Sequence, residues 1–148
     1  MRRAPVFRCQ LVRDRSLKYE PEANDAKSAA ALFYDLAAGA DRETFMVMAL
    51  TAKNQVIGVH VAHVGTINAS LVATRDVVKF AILCNACSII VAHNHPSGVH
   101  DPSPEDYAVT RRLAEACKVF DVSLLDHIVI GNAPDDGFHS IQASGMLP

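Results

Sequence analysis

The sequence predicts an α/β fold, a single layered domain with a mixed β-sheet and flanking helices. Segments with helical periodicity alternate along the chain with short apolar segments that are typical of strands. The chain has 148 residues and a mass of 16.0 kDa, which is the size of one domain. Half of its residues are hydrophobic and a fifth are charged, which is ordinary globular composition.

A strand and a helix are predicted at the start of the chain. Residues 5–13, "PVFRCQLVR", are apolar and β-prone, so they predict a first strand. In "AKSAAALFYDLAAG", apolar side chains recur at helical spacing. Asn24 or Asp25 can cap this helix, and Gly39 ends its pattern.

A hairpin and a second helix are predicted next. Residues 43–51 and 55–65 have the composition of strands, and the polar pair Lys53-Asn54 between them predicts a turn. The segment "GTINASLVAT" predicts an irregular crossing. Thr74 is predicted to cap the helix "RDVVKFAILCNA", whose apolar side chains have helical spacing.

The remaining elements surround a long loop. The strand "SIIVA" is predicted to end at His93. A third helix is predicted to start with Ser103 as its cap and Pro104 as its first residue. Two further strands, "VSLLDHIVIG" and "GFHSI", complete the predicted sheet.

Composition and charge argue against several classes of protein. The net charge of −2 disfavours a strongly basic nucleic-acid platform, although a local basic patch could exist. No uncharged apolar run approaches the roughly 18 to 20 residues of a membrane span, and charged residues interrupt the start before a signal peptide could form. We therefore expect a cytoplasmic protein whose four cysteines are free thiols.

The stretch from Ile89 to Asp106, "IIVAHNHPSGVHDPSPED", concentrates metal-binding residue types. Side chains alternate along a strand, so His93 and His95 should lie on the same side where the strand ends. Asp106 follows in the first turn of a helix, and prolines stiffen the loop that leads to it. Two imidazoles and one carboxylate with a fourth position open are typical of catalytic zinc, which lowers the pKa of its water from about 15.7 to near 7.

Simpler explanations exist for parts of this pattern. Capping alone would explain Ser103 and Asp106, but it does not account for two histidines at a strand end. The pair Cys84-x-x-Cys87 could suggest a second zinc site or a nucleobase deaminase. It lies at the apolar end of a helix and no H-x-E motif accompanies it, so we expect core packing.

Four other histidines could each be a structural residue or part of a metal site. His60 and His63 lie three residues apart on a predicted strand, so we expect them on opposite faces. His100 could approach a metal from the loop, but a solvated histidine is the simpler expectation. His127 could be a hydrogen-bonded core residue or could lie behind a metal ligand.

The segment "HNHPSGVHDPSPED" resembles the JAMM signature, H-x-H-P followed by S-x-x-D, of the JAB/MPN metallohydrolases. Within that superfamily, "RETFMVMAL", "VGTINAS", "AHNHPSG" and "LLDHIVIG" are similar to the RadC group, whose members are often labelled DNA repair proteins. The resemblance covers about residues 5–132 and implies a cytidine-deaminase-like (JAB/MPN) architecture.

The resemblance also implies roles for five residues: the zinc ligands His93, His95 and Asp106, the catalytic acid/base Glu43, and the substrate-polarising serine Ser103. Val99 stands where an aspartate is frequent in RadC sequences, but the loop length is retained. We expect one RadC-like domain over residues 1–148, without the helix-hairpin-helix segment that longer members carry in front.

The leading functional hypothesis is a JAMM-type hydrolase with Zn²⁺ as its cofactor, which cleaves a peptide or isopeptide bond. Two other classes stay open: a DNA-repair accessory protein acting on or near nucleic acid, and a metal-free scaffold like the MPN domains that lack ligands. Intact His93, His95, Asp106 and Glu43 speak against the scaffold. The expected partner is a peptide or isopeptide-linked protein, with weak or indirect contact to nucleic acid and none to a membrane, and the oligomeric state is open.

Overall fold

The computed structural model describes residues 1–19, 25–67, 74–134, 137–145 and 147. Within these residues the chain forms three helices and five strands, in the order α1 (Ala26–Leu36), β1 (Thr44–Leu50), β2 (Val56–Val64), α2 (Thr74–Leu83), β3 (Ser88–Asn94), α3 (Pro104–Val119), β4 (Ser123–Ile130) and β5 (Phe138–Ser140). The strands form one sheet in the order β2-β1-β3-β4-β5. Only β3 and β4 are parallel neighbours. The predicted α/β domain with a mixed sheet is confirmed.

The helices cover both faces of the sheet, and the interior strand β1 is buried throughout. Alternate side chains of β1, from Phe45 to Ala49, pack with α2 and α3 in one core. The intervening side chains, from Met46 to Leu50, pack with α1 in a second core. Each fully buried apolar side chain contributes about 1.5–3 kcal/mol relative to an exposed one. No helix in the described part of the chain is long and apolar enough to cross a membrane.

The connection from β3 to β4 positions the candidate site. Parallel strands need a crossover connection, and α3 provides it, so the helix begins beyond the carboxyl end of β3. Ser103 has an extended backbone and its Oγ accepts a hydrogen bond from Asp106 N, while the Asp106 carboxylate accepts one from Ser103 N. Pro104 follows as the first helical residue. The predicted start of this helix is confirmed.

The other predicted elements are observed with small shifts at their ends. The carboxylate of Asp25 caps α1 by accepting a hydrogen bond from Ser28 N (2.9 Å), and Asn24 lies outside the described residues. Asn54 adopts the left-handed conformation (φ 59°) in the turn between β1 and β2. Thr74, predicted as a cap, is already part of α2. Residues 68–73 of the predicted crossing lie outside the described part of the chain.

The prediction of a strand over residues 5–13 was wrong. These residues are described, form no strand or helix, and are exposed throughout. Val6 and Phe7 remain 97% and 82% exposed. A strand requires a hydrogen-bonding neighbour as well as β-prone side chains, and this segment pairs with neither edge of the sheet.

The prediction that His60 and His63 face opposite sides was also wrong. His60 pairs with Val47 and His63 pairs with Phe45, with an irregularity in the β1–β2 register between them. The irregularity adds one residue to β2, which reverses the alternation beyond it. Both histidines therefore lie on the face that carries α2 and α3, where His60 stacks on Phe80.

Candidate metal centre

The end of β3 and the start of α3 bring His93, His95 and Asp106 together. The backbone N–H of His95 donates to Ile130 O (2.8 Å), so the chain stays paired with β4 one residue beyond the strand. His93 and His95 consequently point to the same side, as the alternation predicts. Asp106 arrives at this side in the first turn of α3.

The potential ligand atoms of the three residues converge. His93 Nε2 lies 3.0 Å from His95 Nε2 and 3.1 Å from Asp106 Oδ1. His95 Nε2 lies 3.4 Å from Asp106 Oδ2. One potential ligand atom of each of the three residues lies within 4.8 Å of the other two. The side chains of His93 and Asp106 are buried, whereas that of His95 is 16% exposed, so the cluster meets solvent at His95.

The electrostatics of this cluster favour a positive charge. Burial raises the pKa of Asp106, but the hydrogen bonds that His93 and His95 donate to it through Nε2–H when their rings are protonated outweigh burial and hold that pKa well below its usual range. The hydrogen bond with Asp106 raises the pKa of His95, although burial opposes the shift. The carboxylate therefore stays ionised at neutral pH and draws a proton or a metal ion to the imidazoles.

The hydrogen bonding of the histidines fits a metal ligand set. His95 Nδ1 lies 2.7 Å from Val99 O. Because a carbonyl oxygen only accepts, Nδ1 carries the hydrogen and Nε2 of the neutral ring carries a lone pair. His93 likewise turns Nδ1 away from the cluster, toward His127. Two imidazole nitrogens and a carboxylate suit Zn²⁺, which binds such atoms at about 2.0–2.2 Å. The described residues contain no second group of this kind.

Glu43 lies at the same end of the sheet, immediately before β1. Two residues later, Phe45 pairs with His93 across the β1–β3 ladder, and their rings stack with centroids 6.1 Å apart. Glu43 Oε2 accepts a hydrogen bond from Ile67 N (2.9 Å). Its negative charge adds to the carboxylate effect that raises the pKa of His95. Glu43 thus acts electrostatically on the cluster and lies outside the ligand group.

Asn94, between the two histidines, was not recognised from the sequence. Its buried side chain faces the opposite way from theirs and binds the chain next to Glu43. Asn94 Oδ1 accepts a hydrogen bond from Thr44 N (2.6 Å), and Nδ2 donates to Arg42 O (3.1 Å). One amide therefore holds the residues on both sides of Glu43. Local sequence carries no signal for this contact, because it joins residues about 50 positions apart.

Ser103 lies beside the cluster through its bonds to Asp106. Its Oγ accepts from Asp106 N (3.2 Å), and its own N–H donates to Asp106 Oδ2 (2.8 Å). The cap uses the oxygen of the hydroxyl as an acceptor, so its hydrogen is available for donation. The side chain is half-buried.

A sequence model described as "RadC-like JAB domain" matches residues 23–146. The chain belongs to the RadC-like JAB domain family. It is 46% identical over 110 residues to a "UPF0758 protein" of Rubrobacter xylanophilus, covering 74% of this chain and 47% of the relative. It is 43% identical over 121 residues to a "UPF0758 protein" of Moorella thermoacetica, covering 82% of this chain and 52% of the relative.

The chain spans about half the length of these RadC-like relatives. Their names state no activity, substrate or cofactor. The family is therefore established, and the five residue roles implied by the resemblance stay predictions. The structure brings three of these residues into one cluster, places Glu43 at the same end of the sheet, and uses Ser103 as the cap of α3.

His127 of this RadC-like JAB domain is fully buried behind His93. His127 Nε2 lies 2.8 Å from His93 Nδ1, and His127 Nδ1 lies 2.6 Å from Thr110 Oγ1. Burial lowers the pKa of His127 well below the usual value, and the neighbouring His93 adds to this effect. Of the two interpretations of His127, the structure supports the place behind the cluster. The sequence offered no sign of Thr110.

The four cysteines are free, as predicted. Cys117 is buried in α3, and burial raises the pKa of its thiol to about 11. Cys84 packs partly against the core between α2, α3 and the sheet, whereas Cys87 is exposed. Core packing is therefore observed for one member of the Cys84-x-x-Cys87 pair. His100 is half-buried and does not belong to the ligand group of the described residues.

Proposed function

We propose that this RadC-like JAB domain is a cytoplasmic zinc-dependent hydrolase that cleaves an amide, either a peptide or an isopeptide bond. The observation that carries the proposal is the convergence of His93 Nε2, His95 Nε2 and the Asp106 carboxylate at the end of β3. Bringing an ionised, mostly buried carboxylate against two imidazole nitrogens is costly unless a cation neutralises it.

His93, His95 and Asp106 would hold the metal. Three protein ligands leave a fourth position for water or substrate, which is typical of catalytic zinc sites in contrast to closed structural ones. When bound, Zn²⁺ would lower the pKa of its water to near 7 and polarise the substrate carbonyl. The partial exposure of His95 supports access from solvent on that side.

Glu43 would move the proton. Amide hydrolysis forms a bond from the water oxygen to the carbonyl carbon and breaks the bond from that carbon to nitrogen. The water must lose a proton, and the leaving nitrogen must gain one. A carboxylate beside the ligands but outside the ligand group can do both in sequence. The position of Glu43, held by Ile67 N and by the Asn94 contacts on either side, supports this role.

Ser103 would stabilise the substrate oxygen. The charge that develops on the carbonyl oxygen during attack requires hydrogen-bond donors. Because the cap engages Ser103 Oγ as an acceptor, its O–H can donate to that oxygen. The same residue can therefore both cap α3 and bind substrate.

A second candidate function is weak binding to nucleic acid. Residues 1–19 contain six Arg and Lys side chains against one Asp, and all of these residues are exposed. Such a segment attracts phosphates without reading sequence. This candidate is compatible with hydrolysis elsewhere in the domain.

The test of the hydrolase has a binding arm and an activity arm. Metal-free protein is titrated with Zn²⁺ against a chromophoric chelator, and we expect about one site per chain in the wild type and none of comparable affinity in His93→Ala or His95→Ala. Zinc-loaded and chelator-treated proteins are then incubated with a diverse peptide library, and new termini are detected by mass spectrometry. Zinc binding without cleavage of peptides or of isopeptide-linked conjugates would contradict the hydrolase, and absence of zinc binding would contradict the metal site.

A further inference from the structure

A chain of three buried hydrogen bonds runs from His93 into α3. His93 Nδ1 lies 2.8 Å from His127 Nε2, and His127 Nδ1 lies 2.6 Å from Thr110 Oγ1. Thr110 Oγ1 lies 2.7 Å from Asp106 O. His93, His127 and Thr110 have no solvent exposure. The chain therefore starts at one residue of the candidate metal centre and ends on the backbone of another.

The end of this chain determines the direction of every hydrogen bond in it. Asp106 O is a carbonyl and can only accept, so the single hydroxyl hydrogen of Thr110 is donated to it. Thr110 Oγ1 must then accept from His127 Nδ1, which places the hydrogen of the neutral ring on Nδ1. His127 Nε2 is left with a lone pair and accepts from His93 Nδ1–H.

The same argument assigns the proton of His93. With its hydrogen on Nδ1, the neutral His93 ring has its lone pair on Nε2, the atom that faces His95 and Asp106. The reversed chain would place a hydrogen on His93 Nε2, where it would block a metal. His95 has the same tautomer, with its hydrogen on Nδ1, because its Nδ1–H donates directly to the carbonyl oxygen of Val99.

We propose that Thr110 and His127 are positioning residues that hold His93 in the tautomer with its Nε2 lone pair directed at the metal. This inference rests on the metal site of the proposed function. Metal-binding histidines usually direct their second ring nitrogen to a carboxylate, a backbone carbonyl or water, and loss of such a partner typically costs about 10- to 100-fold in metal affinity. In this protein the partner of His93 Nδ1 is the neutral ring of His127. The Nε2 atom of His127 can accept a hydrogen bond only because Thr110 fixes the tautomer of His127.

The proposal is tested by Thr110→Val with Thr110→Ser as its matched control. Valine retains the branched shape but removes the hydroxyl, which leaves His127 Nδ1–H without its acceptor and favours the reversed tautomers. We expect the Kd for Zn²⁺, measured by chelator competition, to rise about 10- to 100-fold in Thr110→Val and to stay within about threefold of wild type in Thr110→Ser. Denaturant unfolding of the metal-free variants measures any loss of stability separately.

Equal zinc affinity in wild type and Thr110→Val would overturn the proposal while leaving the metal site intact. Failure of the wild type to bind zinc would instead sink the proposed function. A second measurement does not depend on the variants: two-bond ¹H–¹⁵N spectra of the wild type distinguish the two neutral tautomers of each histidine. We expect Nδ1–H for His127 in both metal-free and zinc-loaded protein, and Nδ1–H for His93 in the zinc-loaded form. An Nε2–H tautomer of His127 would overturn the assignment even if Thr110→Val does not fold.

Discussion

The substitution Asp106→Asn separates the role of Asp106 in the helix cap from its role as a metal ligand. The Asp106 carboxylate accepts a hydrogen bond from Ser103 N (2.8 Å) and also faces His93 and His95. Asparagine retains a carbonyl oxygen that can accept from Ser103 N. It loses the negative charge and places an NH₂ group among the imidazoles. In the cap, replacing a charge-assisted hydrogen bond by a neutral one costs about 1 kcal/mol, so the cap should survive and the metal-free variant should stay folded.

The effect of zinc on stability should be much larger than this loss. At a free zinc concentration 1,000 times its Kd, the wild type should gain about 4 kcal/mol of unfolding free energy. If loss of the ligand weakens binding about 1,000-fold, Asp106→Asn should gain less than about 0.5 kcal/mol at the same concentration. The assay is denaturant unfolding of each protein with a chelator and with buffered zinc.

Ser103→Ala is the control for the cap. It removes the Oγ that accepts a hydrogen bond from Asp106 N and should lower the unfolding free energy by about 1 kcal/mol with or without zinc. The gain in unfolding free energy on adding zinc, the zinc increment, should therefore equal that of the wild type. A full zinc increment in Asp106→Asn would refute the reasoning, because Asp106 would then be only a capping residue.

Three further predictions concern the proton carrier, the pH response and nucleic acid. Glu43→Gln should retain the fold and the zinc, since its amide oxygen can still accept from Ile67 N, while hydrolysis falls at least about 100-fold; loss of zinc would make Glu43 a ligand, and unchanged turnover would remove it from the mechanism. Zinc affinity should fall as pH decreases from about 8 to about 5.5, because protons compete for the histidines. Because the pKa of His95 is raised, protons compete with zinc for His95 at a higher pH than for an ordinary histidine. Because the pKa of Asp106 is lowered, its carboxylate stays ionised over this range and does not compete for protons. A constant Kd over this range would contradict the ligand set. Binding to duplex DNA should be weak and independent of sequence, with a salt slope no steeper than about −5, and replacing the arginines of residues 1–19 by glutamine should abolish it; tight binding at physiological salt would show this wrong.

Features of the structure that depend on residues close together in the sequence could be predicted. The start of α3 follows from Ser103 and Pro104, and the orientation of His93 and His95 follows from strand alternation. The strand predicted over residues 5–13 failed because β propensity does not reveal whether a sheet edge is available for pairing. The prediction that His60 and His63 lie on opposite faces failed because one inserted residue in β2 reverses the alternation of side chains. Nothing in the local sequence marks the position of that residue.

The supporting contacts of the candidate site could not be predicted, because they join distant parts of the chain. Asn94 binds residues beside Glu43, and the hydrogen bond from His127 to Thr110 links β4 to α3. Each contact exists only after the sheet and the crossover helix have assembled. Residue type alone suggests a polar side chain in a buried strand, which has many possible partners.

The ligand set of the metal is the central claim, and X-ray absorption spectroscopy of the protein loaded with one equivalent of Zn²⁺ tests it most directly. The account predicts nitrogen and oxygen ligands at about 2.0–2.2 Å with the outer-shell scattering of two imidazoles, and no sulfur. Scattering from sulfur at about 2.3 Å would instead place the zinc on cysteines such as Cys84 and Cys87, and would contradict the assignment of His93, His95 and Asp106.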